Sequence, residues 1–332
     1  MQAALIHSYK QKELELTSVP IPDINSNDVL VKIIAASINP LDLRTMAGGL
    51  KMLLHYDMPL ILGNDFAGEV VAVGSKVTQF KVGDEVFGRP RKDRIGTFAE
   101  YIAVNTEDIA LKPKNLTFQE AAAIPLVGLT SYQALHDLMD LKPGKKVLIQ
   151  AGSGGVGSIA IQIAKQLGAF VATTTSSKNV EFVKSLGADQ IIDYHKENFA
   201  NVLTDYDAVF DTLGDKNLEQ SFKIVKPSGK IVSVSGLPDA KFGKSYGLPY
   251  WKQFLLKVAT RNLSKLEKET QVQYNFLFMK PSGKQLSLLT EWIEKDQVRP
   301  IIDRVFDLND INDALNYSRS GHAKGKIIIN IN

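Results

Sequence analysis

The sequence predicts an α/β protein of two domains, an antiparallel barrel-like β region followed by a doubly wound parallel sheet. Three observations carry this prediction. The chain has 332 residues, and at about 150 residues per domain that length suits two domains. Before residue 125, short β-branched segments alternate with Pro and Gly turn signals. From residue 147 onward strand-like and helix-like segments alternate, the pattern of a parallel sheet with helical crossovers.

In the first region, residues 29–35, 68–73, 82–87 and 100–104 read as strands, each bounded by a turn signal. In the second, strands are expected at 147–150, 170–174, 190–193, 208–211 and 230–235. Helices are expected at 156–167, stopped by Gly168, and at 180–186, stopped by Gly187. Residues 238–280 mix aromatics with lysines and fit either helix or a strand facing a second subunit. A helix at 285–294 and strands at 305–307 and 326–331 complete the chain. This last part is expected to return to the first domain. The domain of residues 125–280 is then inserted between segments 1–124 and 281–332.

Composition excludes several classes of function. There is no cysteine, so disulfides, thiol catalysis, iron–sulfur clusters and cysteine-ligated zinc are ruled out. The 39 basic and 36 acidic residues are interspersed and give a net charge of +3, which is no footprint for a nucleic acid. The apolar stretch 121–129 is broken by Pro125 and Gly128 and falls far short of the ~20 residues needed to span a bilayer. Residues 1–9 show no basic segment followed by an apolar one. The expectation is a soluble cytoplasmic protein with no membrane partner.

The strongest local motif is G-x-G-x-x-G at Gly152, Gly154 and Gly157. It follows a strand and opens a helix that includes Gly155 and Val156. Glycines permit a tight turn and close approach of a pyrophosphate, and the helix N-terminus offers free N–H groups. This setting points to a dinucleotide. An NAD site places an acid ~20 residues on, at the end of the next strand. Here that strand ends in Thr175, Ser176, Ser177 and Lys178. Hydroxyls and a lysine suit a 2′-phosphate, so NADPH is expected. The same residues also fit a plain helix cap with Ser177 at its start. Tyr194, just after the third strand, can add a hydroxyl to that phosphate.

Several further motifs recur along the chain: Asn39-Pro40-Leu41-Asp42, Gly63-Asn64-Asp65-Phe66-Ala67-Gly68-Glu69-Val70, Val82-Gly83-Asp84-Glu85-Val86, Thr130-Ser131-Tyr132, Leu186-Gly187-Ala188-Asp189 and Gly325-Lys326-Ile327. With the glycine loop, they resemble the medium-chain dehydrogenase/reductase superfamily, in its zinc-free quinone oxidoreductase and enone (alkenal) reductase branch. The resemblance runs nearly the full length. It implies a GroES-like β-barrel catalytic domain joined to a Rossmann domain. It also implies NADPH-dependent reduction of an enone, an alkenal or a quinone. Zinc-dependent members carry cysteine where Asn39 stands and His-Glu where Asn64-Asp65 stand. Amides are poor zinc ligands, and the five histidines are dispersed, so no metal is expected.

The resemblance also nominates residues. Asn39 is a candidate to hydrogen-bond a ribose hydroxyl or the substrate carbonyl, or else forms an Asx-Pro turn. Asp42 is a catalytic candidate and equally a cap for a short helix. Arg44 stands where alkenal reductases commonly carry lysine, and is a candidate to stabilise an enolate oxygen. Tyr56, in the loop 48–58, is a candidate proton donor. Asp65 is expected to hold Arg44 or a backbone amide. Thr130, Leu213, Gly214, Leu277 and Phe278 are expected near the nicotinamide and its ribose. In the family a lysine on the helix beyond the second strand contacts the 2′-phosphate. Asn179 takes that spacing here and Lys178 precedes it. Relatives are usually homodimers through an edge strand of the nucleotide sheet, and Phe254, Leu255 and Leu256 are apolar candidates for a subunit contact. Two alternatives stay open, an enoyl-thioester reductase and a non-catalytic NADPH-binding protein.

Overall fold

The structure, a computed structural model, describes residues 1–331. The chain divides into two units, Met1–Leu129 with Lys280–Asn332, and Thr130–Met279. These boundaries fall five residues after and one residue before those marked in the sequence.

The first unit opens with β1 (Gln2–Ile6), β2 (Glu15–Ser18), β3 (Asp28–Ile38), β4 (Leu60–Ile61), β5 (Asp65–Val73), β6 (Glu85–Gly88), β7 (Tyr101–Asn105) and β8 (Ile109–Leu111). The second unit holds β9 (Lys146–Ile149), β10 (Phe170–Thr175), β11 (Gln190–Asp193), β12 (Tyr206–Asp211), β13 (Val225–Ser233) and β14 (Gln273–Phe276). The chain then returns to the first unit with β15 (Ile302–Asp307) and β16 (Lys326–Asn330).

In the first unit β2-β1-β4 form one antiparallel sheet. A larger sheet runs β15-β16-β3-β5-β6-β8, with β7 also on β3. The long β3 is its spine, pairing with β5, β7 and β16. Val29, Val31 and Ile33 of β3 pack with Phe66, Val70, Val86, Ile327 and Ile329 in one core. The helix Ile311–Arg319 turns Ile311, Ala314 and Leu315 into that core, the i, i+3, i+4 spacing of one helical face. The expected strand at 82–87 starts later, at Glu85. Gly83 adopts a left-handed φ of 90° and Asp84 accepts the Lys81 N–H at 3.0 Å, which together make a turn. The pair β1–β2 was not read from the sequence, because β2 is mostly exposed and shows no apolar alternation.

In the second unit the order is β11-β10-β9-β12-β13-β14, and every pairing is parallel. This is the six-stranded dinucleotide-binding order, with the reversal of direction at β9 and β12. Val147, Leu148 and Ile149 of β9 are fully buried, as expected for a central strand covered on both faces. The stretch left open in the sequence resolves into helices Ala240–Ser245, Tyr250–Ala259 and Arg261–Thr270, followed by the edge strand β14. Only Leu263 of the last helix is buried. Its heavy charge hid a one-sided apolar contact. Tyr274 anchors β14, buried, with its hydroxyl donating to the Leu237 carbonyl at 2.7 Å. Among the described residues no helix is long and apolar enough to cross a membrane.

Candidate functional site

In the second unit the glycine loop leaves β9 and is pinned to β10. The Ala151 N–H donates to Thr174 Oγ1 at 3.0 Å and the Gly152 N–H to the Thr174 carbonyl at 3.0 Å. The left-handed residue of the turn is Ala151, at φ 50°, not one of the glycines. The glycines serve close approach instead. A Cβ on Gly152 would lie 2.1 Å from Thr173 Oγ1, and one on Gly157 would lie 2.3 Å from the Ala151 carbonyl oxygen. Gly154 caps the helix Gly155–Gln166 in extended conformation. The first-turn amides, those of Gly155, Val156 and Gly157 among them, therefore have no acceptor in the preceding turn, the arrangement that favours a bound anion.

Beyond β10 the hydroxyl-rich segment closes against this loop. Ser153 Oγ accepts from Thr175 Oγ1 at 3.2 Å and from Asn179 Nδ2 at 3.1 Å. Asn179, at the position where the family spacing has lysine, is thus a structural tie. Ser176 caps the short turn Ser177–Asn179, while Lys178 is exposed beside it. The structure adds an acid that the sequence reading missed. Asp193 ends β11 in register with Thr175, accepts from the Ser177 hydroxyl, and lies 3.6 Å from Lys196. The Ser177 hydrogen bond holds its carboxyl below the usual range. Parallel pairing, which places the ends of β10 and β11 side by side, is the signal that locates it. Tyr194 is 59% exposed, with its ring 4.4 Å from that of His195.

At the end of β12, buried Asp211 organises the next loop. Its Oδ1 accepts the Leu213 and Gly214 N–H groups at 3.1 and 2.8 Å, and Ser233 Oγ donates to Oδ2 at 2.5 Å. Gly214 has φ 75°, a conformation that favours glycine. Leu213 is exposed, Thr130 is buried, and Leu277 donates its N–H to the Ser233 carbonyl at 2.8 Å. Phe278 packs edge-on against Tyr246, at 5.7 Å.

In the first unit Asn39 and Asp42 belong to a buried polar network. Asp65 is its hub. Its Oδ2 accepts from Ser37 Oγ at 2.7 Å, Asn39 Nδ2 at 2.9 Å and Lys326 Nζ at 3.2 Å, and its Oδ1 accepts the Leu126 N–H at 2.7 Å. Lys326 also donates to Asn39 Oδ1 and to the Ile38 carbonyl. Asp65 therefore holds a backbone amide and Lys326, not Arg44. Asp42 accepts the Asn39 N–H at 2.8 Å and Asn64 Nδ2 at 2.7 Å, which fixes the entry to the helix Pro40–Met46. Burial pushes the Asp42 carboxyl up to about 6. Arg44, on that helix, is exposed and has no ion-pair partner among the described residues. Tyr56 is buried, and its N–H donates to the Tyr9 hydroxyl at 3.2 Å.

Arg89 is a second feature that the sequence did not reveal. It is the largest fully buried side chain, 1% exposed, just past β6. Its Nε and Nη1, with Asn64 Oδ1 and Thr97 Oγ1, have no hydrogen-bond partner among the described residues. Burial pulls its pKa down, and the nearby charges of Tyr56, Asp65, Asp108 and Asp42 oppose that shift.

The network does not fit a zinc ion. The donors at the family's metal positions are two amides and one carboxylate, and the Lys326 ammonium already occupies the carboxylate and the Asn39 oxygen. A second cation there would meet an ammonium at hydrogen-bond distance and no thiolate or imidazole.

Comparison with known proteins bears on the fold and the family. The alcohol dehydrogenase GroES-like domain family matches residues 25–114, and the zinc-binding dehydrogenase family matches residues 186–329. The chain is 36% identical to 2-methylene-furan-3-one reductase of Solanum lycopersicum, over 94% of this chain and 74% of that protein. It is 34% identical to the chloroplastic NADPH-dependent alkenal/one oxidoreductase of Arabidopsis thaliana, with the same coverage of each. Its fold matches the structure of the quinone oxidoreductase from Coxiella burnetii with TM-score 0.84 and 34% identity, over 100% of this chain and 99% of that one. The chain belongs to the medium-chain dehydrogenase/reductase superfamily. It is an oxidoreductase of the kind that works with a nicotinamide dinucleotide.

Two predictions follow from the network. Lys326→Met strands the buried Asp65 carboxylate, so it should cost about 3–5 kcal/mol. The double variant with Asp65→Asn should lose clearly less than the sum of the two singles. Urea unfolding of all four proteins measures both. The second prediction concerns Asp42. Its raised value means that the native state holds the proton more tightly than the unfolded chain. Its contribution to stability is therefore full below 3.8 and is lost as pH rises through about 6. The stability difference between wild type and Asp42→Asn should fall by about 3 kcal/mol across that window, as read by unfolding at a series of pH values.

Proposed function

We propose that the protein uses NADPH to reduce the activated carbon–carbon double bond of α,β-unsaturated ketones and aldehydes, or a quinone. The observation that carries this reading is the Lys326–Asp65–Asn39 network at the family's metal positions. In a zinc-dependent alcohol dehydrogenase a Lewis acid polarises the oxygen whose carbon takes the hydride. Conjugate reduction needs only hydrogen-bond donors at an oxygen two carbons away, where enolate charge collects. The names of the two plant relatives, a furanone reductase and an alkenal/one oxidoreductase, support the same choice.

NADPH fits the second unit. The amides of Gly155, Val156 and Gly157 would take the pyrophosphate. Thr175, Ser176, Ser177, Lys178 and Tyr194 would take the 2′-phosphate, with Lys178 and Lys196 offsetting Asp193. Leu213 and Gly214 would line the ribose, and Thr130, Leu277 and Phe278 would bound the nicotinamide. When bound, NADPH supplies the hydride. In the first unit Asn39 and Asp42 act as positioning residues, because their side chains are already engaged. Arg44, a cation with no ion-pair partner among the described residues, is suited to the enolate oxygen. Tyr56 is the candidate proton source for the α-carbon. Dimerisation is assigned to β14, whose outer edge has no strand partner among the described residues.

The test is loss of reduced-nicotinamide absorbance with a short enone, a 2-alkenal, a para-quinone and a saturated ketone, each with NADPH and NADH. Enone or alkenal turnover preferring NADPH is expected, with the saturated ketone inert. Tight NADPH binding without oxidation by any acceptor would contradict the reading. Arg44→Ala should lower kcat/KM for the enone about 100-fold. Lys178→Ala should raise KM for NADPH about tenfold and leave KM for NADH unchanged. Steady-state kinetics with both cofactors distinguishes that effect from general damage.

A further inference from the structure

The chain leaves the C-terminal end of β13, the edge of the sheet that carries the glycine loop, and enters the helices Ala240–Ser245 and Tyr250–Ala259. The second of these turns its apolar residues outward. Tyr250 is 89% exposed, Phe254 64%, Trp251 60%, Val258 58% and Leu255 47%. At about 100° per residue these five side chains fill one arc of about 140°. Only Leu256 of this helix is buried. Lys257 borders the arc on one side and Lys252 on the other, with the Lys252 Nζ 5.5 Å from the centre of the Trp251 ring. The basic edge continues along the next helix through Arg261, Lys265 and Lys268, which share a face at i, i+4 and i+7. With Lys257 these line a shallow depression of about 850 Å³. The acid on its rim is Glu269, 3.7 Å from Lys265.

We propose that this face docks on a bilayer that contains anionic lipid, with Trp251 and Phe254 in the interface and the basic depression on the headgroup phosphates. Two features select this occupant. A convex stripe of Trp, Tyr, Phe and Leu flanked by lysines is the pattern of a helix lying in a membrane interface, where apolar side chains sink and lysines reach back to the headgroups. A protein partner for a single helix is instead a concave groove lined by its own apolar residues. A second copy of this chain would bring the same basic edge against itself, whereas the anionic surface neutralises it. The sequence expectation of no membrane partner rested on the absence of a spanning segment. That absence bears on crossing a bilayer and not on lying against one.

The 332-residue chain is mixed with vesicles of phosphatidylcholine alone, or of phosphatidylcholine with phosphatidylglycerol, and floated at low salt. The chain has two tryptophans, so Trp292→Phe leaves Trp251 as the only reporter. The expected result is flotation with the anionic vesicles alone, with a blue shift of Trp251 emission, both reversed by salt. Trp251→Ser should weaken partition at least tenfold. Lys257→Ala with Lys265→Ala should weaken it about 25-fold, at about fivefold per lysine. Both variants should keep wild-type turnover of NADPH in free solution, which separates this proposal from the assigned reaction. Three results overturn it: no flotation with anionic vesicles, flotation unchanged in Trp251→Ser, or concentration-dependent self-association in light scattering that Trp251→Ser abolishes. The last would assign the face to a second copy.

Discussion

The Asp65 carboxylate is the constraint on which the first unit depends. It is fully buried, and it takes hydrogen bonds from Ser37 and Asn39 around the end of β3, from the Leu126 backbone, and from Lys326 at the start of β16. These contacts span sequence separations from 26 to 261 residues. One charge thus ties the opening segment of the unit to the segment that returns after the second unit. An uncompensated carboxylate at this depth would cost several kcal/mol. The ammonium of Lys326, 3.2 Å from Asp65 Oδ2, offsets that cost. The Asn39 amide is spent on Asp65 and Lys326, so it is held rigid rather than left free. Arg44 stands exposed on the helix Pro40–Met46, and Arg89 lies buried past β6 with two nitrogens unpaired among the described residues.

Much of this was legible in the sequence. The glycine loop and the alternation after residue 147 gave the parallel sheet, because a doubly wound sheet imposes local punctuation that a single chain displays. The superfamily followed from spaced motifs, and the donor types at Asn39 and Asn64-Asp65 argued against zinc. Other features depended on partners far apart in sequence. Lys326 was read only as part of a terminal motif, since nothing local says that a lysine near the end of the chain pairs with Asp65. Asp193 looked like the end of an ordinary strand until parallel pairing set it beside Thr175. The φ of 50° at Ala151 reversed a local argument. The turn strain sits on an alanine, and the glycines are required by Thr173 and by the Ala151 carbonyl. The edge strand β14 and the helices before it were unreadable because their apolar residues are divided between core and surface.

The segment beyond β10 shows a balance of charge. Lys178 favours an added phosphate, Asp193 opposes it, and Lys196 at 3.6 Å screens the acid. The Ser177 hydroxyl donates to Asp193, so the carboxylate that would repel a phosphate also orients that hydroxyl. The outward face of the Tyr250–Ala259 helix belongs to a different economy. Its aromatics contribute nothing to the core that Leu256 and Leu263 reach.

The most direct measurement is the position of the transferred hydride. The protein is incubated with an enone and NADPH deuterated at C4, and the product is analysed by NMR. Hydride delivery to the β-carbon, with the oxygen's charge held by donors of the chain, predicts deuterium on the β-carbon of a saturated ketone. Deuterium on a carbinol carbon, in an allylic alcohol whose double bond is intact, would contradict the account.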